Sequence, residues 1–221
     1  MRNRPTVADR ERGGVLLCVL MVTTLVGTLG AALALIVSTE TFVAANYQSS
    51  QQGLYAADAA LERAVGELRL LPTWVAVPGA AATSSADFND GLSTPRMPNG
   101  VTLNLAQLTS RRQTESDGIY PSGPDQPVWR LYGHAPLSRM IPDAAGVSAY
   151  VVVWLADDTD DLDGNPAIDA NDVIMVRAEA FGVRGGRRAV EATIQRKQTM
   201  AAGFPGVTRS DVGVIAWREV R

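Results

Sequence analysis

The N-terminal part of the chain contains an apolar run of 23 residues, 15–37, without a single charged side chain. At about 1.5 Å of rise per residue, a helix of this length crosses the roughly 30 Å hydrocarbon core of a membrane. A secretory signal needs an apolar stretch of only about 7–15 residues. The run therefore predicts a membrane-spanning helix, and this places the rest of the chain on one side of a bilayer.

The charges that flank this run are distributed unevenly. Four arginines precede it, against Asp9 and Glu11, whereas the first basic residue after it is Arg63. Because basic flanks stay on the cytoplasmic side, we expect a cytoplasmic N-terminus and an extracytoplasmic remainder. The competing interpretation is a secretory signal cut at the small residues 32–34. The length of the run and its continuation as a helix argue against that interpretation.

After residue 37 the nonpolar residues become periodic. They recur at helical spacing between charged and amide side chains, at Tyr47, Leu54, Ala57, Leu61, Ala64, Val65 and Leu68. This spacing predicts that the helix continues to residue 71, just before Pro72, with one face that packs against another element. We therefore expect a basic leader (1–14), a long helix (15–71) and a separate head (72–221).

The head is rich in short β-type runs separated by proline, glycine and aspartate. These runs are residues 101–105, 128–134, 149–156, 173–183, 188–197 and 213–220. In the hairpin formed by 173–183 and 188–197, nonpolar and polar side chains alternate on both sides of a turn at 184–187. One face should cover the helix and the other should face water. The predicted fold is α+β, with a long N-terminal helix packed on a small antiparallel sheet, and residues 80–100 are expected to form a loop.

Composition narrows the classes of function. The formal net charge is -3, and about -5 remains for residues 15–221 once the basic leader is set aside. Nucleic acid is not expected as a partner, because phosphate binding needs a clustered basic face. Cys18 is the only cysteine, so the head has no internal disulfide. Hydrolase, metalloprotease and nucleotide-binding motifs are missing from the sequence, and His134, the only histidine, is expected to be a strand residue paired with a polar group. We expect no enzyme.

An acidic loop, residues 157–172, lies between two of the predicted strands. It holds seven aspartates and two asparagines and no basic residue. Hard oxygen ligands of this kind suit Ca²⁺. An EF-hand centred on Gly164 does not fit, since Thr159 would take its first position and Ala170 its twelfth. The sequence leaves two alternatives, a solvated turn and an irregular calcium loop, and the candidate ligands of the latter are Asp158, Asp160, Asp161 and Asp163.

Three features together resemble type IV pilins and type II secretion pseudopilins. They are a short basic leader that ends in Gly14, an apolar helix that starts at Val15, and an amphipathic continuation before a β-rich head. The segments ERGGVLLCVLMV and NYQSSQQGLYAADAALERAVGEL (46–68) resemble the PilX-like minor pilins in particular. The acidic loop and the closing WREVR are similar to members of the same group.

The resemblance implies a non-catalytic structural and assembly subunit of a type IV pilus, or alternatively of a type II secretion pseudopilus. A prepilin peptidase would cut after Gly14, or after Gly13, and methylate the new first residue, Val15 in the first case. The implied partners are other pilin subunits, which contact the helix, the peptidase, and the assembly platform of the bacterial inner membrane. Major pilins carry Glu at the fifth mature position, whereas this chain has Val19, or Cys18 in the other register. This difference implies a minor subunit. The alternative to a pilus or pseudopilus subunit is a protein of another functional class, a calcium-dependent binding domain on a single-span membrane anchor.

Overall fold

The computed structural model describes residues 7–79, 84–120, 122–141, 146–200 and 208–220. The chain divides into two compact units, Met1–Gln48 and Ser49–Arg221. The long N-terminal helix is confirmed as α1 (Val7–Arg69), and it ends two residues before the predicted position. Its last turn closes with bonds from the amides of Leu70 and Leu71, after which Pro72 cannot continue the ladder.

The second unit contains a five-stranded antiparallel sheet in which each strand pairs with its neighbours in sequence. The strands are β1 (Arg130–Pro136), β2 (Ala149–Asp157), β3 (Val173–Gly182), β4 (Arg187–Met200) and β5 (Thr208–Val220). In its described residues this unit also contains a short 3-10 turn (Ala86–Phe88), α2 (Leu105–Asp117) and α3 (Leu137–Met140). The predicted α+β fold, a long helix on an antiparallel sheet, is confirmed.

One face of the sheet packs against the C-terminal part of α1 and forms the larger nonpolar core. The helix contributes mostly small side chains, namely Ala56, Ala57, Ala60, Leu61, Ala64, Val65 and Leu68. The sheet contributes Val151, Val153, Ile174, Val176, Ala178, Val190, Ala192 and Ile194. The nonpolar face predicted for the β3–β4 hairpin is confirmed. The prediction that Tyr47 belongs to the packing face is wrong, because Tyr47 is 67% exposed and burial of the helix begins only near Gly53.

Helix α2 covers the opposite face of the sheet. Leu105 and Leu108 of this helix form a second nonpolar core with Trp129, Tyr150, Val152, Trp154, Ala156 and Met175. The strand predicted at 101–105 is wrong, because Asn104 begins a helix there: its side chain accepts a bond from the amide of Gln107 at 2.9 Å. The hairpin's polar face is therefore under α2, and the expectation that it faces water is also wrong.

Charged side chains are buried between α2 and the sheet. Arg112 of α2 donates to Glu179 of β3, and both are almost fully buried. Arg177 links Glu179 to Glu191, with its Nε 3.2 Å from Glu179 Oε1 and its Nη1 3.1 Å from Glu191 Oε2. Burial lowers the pKa of Arg112, although the Glu179 charge opposes that shift. This buried charge cluster, Arg112, Arg177, Glu179 and Glu191, explains why the hairpin's alternating polar residues need no contact with bulk water.

Candidate functional site

The first candidate site is the apolar part of α1. Among the described residues, one helical stretch, Gly14–Arg69, is long and apolar enough to cross a membrane. Every residue from 14 to 37 is exposed. The threonine hydroxyls in this stretch are satisfied within the helix; for example, Thr23 Oγ1 donates to the Val19 carbonyl at 2.9 Å and Thr24 Oγ1 donates to the Leu20 carbonyl at 2.9 Å. The stretch thus presents nonpolar surface and no unpaired hydroxyl donor, as a lipid environment requires.

The predicted processing residues, Gly14 and Val15, lie inside α1. A Cβ added at Gly14 would meet no atom within 4 Å, and the Val15 side chain is exposed. The junction is therefore accessible, and the backbone across it is helical. Cleavage at this bond stays a prediction.

The acidic loop joins β2 to β3 and brings together a different set of aspartates from the one predicted. One carboxylate oxygen from each of Asp157, Asp161 and Asp163 lies within 4.8 Å of the other two. Two of these three belong to the predicted ligands. The third, Asp157, was not among the expected ligands, and the structure places it as the last residue of β2.

The other two predicted ligands are placed differently. Asp158 has both oxygens engaged inside the loop, since Oδ1 accepts from the Asn171 side chain at 3.0 Å and Oδ2 accepts from the Asp160 amide at 3.1 Å. The Asp160 side chain is exposed and lies outside the group of three. Asp169, which was not predicted as a ligand, is almost completely buried, and its Oδ1 accepts from the amides of Asn171 and Val173.

The electrostatics of this loop are unfavourable for bare carboxylates. Burial, reinforced by the charges of Asp161, Asp169 and Asp158, raises the pKa of Asp157 to about 8. Burial also raises the pKa of Asp169 to about 6. Two unit charges 4.8 Å apart repel by about 3.5 kcal/mol at an effective dielectric constant of 20. Burial and repulsion between carboxylates therefore disfavour the ionised forms of Asp157 and Asp169 unless a cation offsets their charge.

The loop is held in place by bonds to the body of the head. The Asp169 amide donates to the Val75 carbonyl at 3.0 Å, and the Gly164 amide donates to Asp125 Oδ1 at 2.6 Å. The backbone at Gly79 also lies close to the loop. A Cβ added at Gly79 would be 2.2 Å from the Ala167 carbonyl oxygen. These contacts fix a 15-residue connection between strands that are direct neighbours in the sheet.

A second polar cluster surrounds the only histidine. His134 Nδ1 lies 3.0 Å from Asp90 Oδ1 and 2.9 Å from the Tyr150 hydroxyl, which donates to Asp90 Oδ2 at 2.8 Å. The expectation that His134 is a strand residue paired with a polar group is confirmed. Burial lowers the pKa of His134 and raises that of Tyr150. The cluster borders an open groove of about 770 Å³ between β1, residues 89–94 and the start of α2.

No family model, no curated protein and no solved structure matches this chain. A functional assignment therefore has to be argued from the residues and their geometry.

Proposed function

We propose that this chain is a minor pilin, a non-catalytic structural and assembly subunit of a type IV pilus. Helix α1 holds the subunit in the bacterial inner membrane, with the N-terminus in the cytoplasm. A prepilin peptidase removes residues 1–14, and the helix then packs against the helices of other subunits at the assembly platform. The head, residues 72–221, lies outside the membrane and forms contacts at the fibre surface.

The observation that supports this proposal best is the exposed apolar surface of residues 15–37. The exposed fraction reaches 74% at Leu16 and 70% at Leu35. A continuous nonpolar surface of this extent needs lipid or other protein around it. Gly27 and Gly30 have open space where a side chain would be, so a neighbouring helix can approach closely there. Such a helix suits both a bilayer and a helical fibre core.

The position of Val19 supports a minor role. After a cut behind Gly14, Val19 is the fifth residue, and its exposed side chain is nonpolar. A carboxylate at this position can neutralise the amino terminus of a neighbouring subunit. Without it, the new amine of Val15 enters an apolar helix bundle uncompensated, which is costly. A subunit with this defect suits a tip or an initiating complex, where few copies are needed.

The deciding experiment is mass spectrometry of the N-terminus of the native protein, from both membranes and sheared fibres. We expect a mature chain that begins at Val15 and carries a methyl group on its amine. If the first residue is Gly14 instead, the cut follows Gly13, and the proposal still holds. Full-length protein found only in membranes would contradict it and would favour a single-span anchored binding domain.

Two matched glycine variants sharpen this test. In both Gly14→Val and Gly27→Val, the first atom added to the side chain meets no other atom within 4 Å, so neither change should disturb the fold. We expect Gly14→Val to retain its leader and to be missing from sheared fibres, whereas Gly27→Val should still be processed. Equal processing of the two variants would show that Gly14 is not part of the recognised junction. Deleting the pilus ATPase or that of a secretion system, one at a time, distinguishes the pilus from a type II pseudopilus.

A further inference from the structure

We propose that the acidic loop binds one Ca²⁺ ion through the carboxylates of Asp157, Asp161 and Asp163, with the buried Asp169 beside them. This inference does not rest on the proposed function, because it concerns only the head. It also replaces the ligand set expected from the sequence, which included Asp158 and Asp160.

The spacing of the three carboxylates suits a single Ca²⁺ ion. Oxygens that bind the same Ca²⁺ at about 2.3–2.6 Å lie no more than about 5 Å apart. The selected oxygens of Asp157, Asp161 and Asp163 are all within 4.8 Å of one another. They come from the end of a strand and from two positions in the loop, so the fold has already brought them together.

Two buried carboxyl oxygens without hydrogen-bond partners point independently to a cation site. Asp157 Oδ1 and Asp169 Oδ2 are shielded from solvent and accept no hydrogen bond, and each residue is only 1% exposed. Burying a carboxyl oxygen without a hydrogen-bond partner or a counter-charge is costly. Asp157 belongs to the group of three, so its unsatisfied oxygen lies where a cation would bind.

Basic side chains do not provide this compensation. Within the part of the chain that the structure describes, no ion pair includes Asp157, Asp161, Asp163 or Asp169. The nearest arginine contact in the loop is Arg196, whose Nη1 is 3.8 Å from Asp172 Oδ1. The negative charge of the group is thus left for a cation to neutralise.

The donor set selects among cations. It consists entirely of oxygens, with no histidine or cysteine, and this disfavours zinc and the softer transition metals. Mg²⁺ demands a near-ideal octahedron and keeps much of its water, whereas Ca²⁺ accepts irregular arrangements of six to eight oxygens. An irregular 15-residue loop whose ligands are carboxylates therefore suits Ca²⁺ better.

The test uses the full chain in detergent micelles, stripped of divalent ions with a chelator and titrated with CaCl₂ in a calorimeter. We expect measurable heat of binding. With a Kd near about 10⁻⁴ M, about 2 mM Ca²⁺ should raise Tm by about 4 °C or more. Absence of both heat and Tm shift overturns the proposal, as does an equal Tm shift with Mg²⁺, which would indicate screening of the loop and not ligation.

Three single substitutions to asparagine locate the site. Asp157→Asn should abolish the response to Ca²⁺ and, without Ca²⁺, raise Tm because it removes the cost of keeping an ionisable carboxyl out of water. Asp163→Asn affects an exposed side chain, so it should fold normally while weakening Ca²⁺ binding at least about tenfold. Asp160→Asn is the matched control: it removes the same charge from the same loop, outside the group, and should leave binding within about twofold. Equal loss of binding in all three variants would mean a diffuse effect of charge and would overturn the assigned ligands.

Discussion

The buried charge cluster under α2 predicts a large loss of stability for Glu179→Gln. Glu179 is fully buried and accepts from Arg112 and Arg177, and its carboxylate is also paired with Arg187. Gln has nearly the same shape, so no cavity is created, but the negative charge is lost. Arg112 would then lose its buried counter-charge, and Arg177 would be left with Glu191 alone. Removing one partner of a buried ion pair typically costs about 3–5 kcal/mol, and we expect a value in that range.

A double-mutant cycle separates this electrostatic effect from packing. Arg112→Met keeps most of the side-chain volume and removes the charge, while Glu179 retains Arg177 and Arg187 as partners. The single Arg112→Met variant should therefore cost less, about 2–3 kcal/mol. In the double variant, one charge of each sign is removed together, so its cost should be smaller than the sum of the two single costs by about 1–3 kcal/mol.

The matched control is a partly exposed ion pair on the same sheet. Arg188 Nη1 lies 3.0 Å from Glu219 Oε1, and both side chains are about one-third exposed. Surface pairs of this kind contribute about 0–1 kcal/mol. Glu219→Gln makes the same chemical change as Glu179→Gln and should cost less than about 1 kcal/mol.

The measurement is urea unfolding of the full chain in micelles, followed by tryptophan fluorescence. Trp154 is a suitable reporter, because it is fully buried and Arg112 lies 5.9 Å above its ring. A Glu179→Gln variant no less stable than Glu219→Gln, or a cycle in which the single costs simply add, would refute the claim that this cluster is a buried, coupled network.

Three further predictions concern single residues of the head. Because burial lowers the pKa of His134, the unfolded chain takes up a proton that the folded chain resists, so stability falls as pH drops through about 6.5, by about 1.4 kcal/mol for each unit of pKa depression. His134→Asn, which can still donate to Asp90, should show a flatter profile in urea unfolding between pH 7 and 5. Gly79→Ala forces a Cβ onto the Ala167 carbonyl, and we expect a loss of about 1–3 kcal/mol together with weaker Ca²⁺ binding in calorimetry. Trp74→Ala should cost about 3–5 kcal/mol in the same unfolding assay, since the indole is fully buried.

The elements with strong periodicity could be predicted from the sequence, and α2 could not. Helix α1 and the β3–β4 hairpin carry long regular patterns of nonpolar residues, so packing and local preference agree there. The inward positions of α2 are Leu105, Leu108, Arg112 and Ser116, spaced three or four residues apart as a helix requires. Two of those four positions are polar, because the surface they cover contains charges, and this hides the pattern. Asn104 as the helix cap was the one local signal available.

The acidic loop shows a similar limit. Its composition predicts a cation site, but the ligands expected from the sequence all lie within residues 158–163. The residues brought together depend on where β2 ends and on how the loop returns to β3. Asp157 contributes because it is the last residue of a buried strand, and Asp169 is buried because its amide is bound to the Val75 carbonyl. These are tertiary contacts, and the spacing of residues along the chain does not predict them.

The alanine-rich segment on which much of the resemblance to pilins depends also has a packing role within this chain. Ala56, Ala57, Ala60 and Ala64 are buried between α1 and the sheet. Small side chains let a helix lie close to a sheet, and larger ones at these positions would overpack the core. This segment is therefore required by the fold of the chain itself, so it supports the predicted architecture more directly than the proposed function. Residues 15–37 have no such role in the head, since no residue of either nonpolar core in the described chain precedes residue 54. Their exposed apolar surface needs lipid or other protein around it, and for this reason the proposed function depends on that stretch.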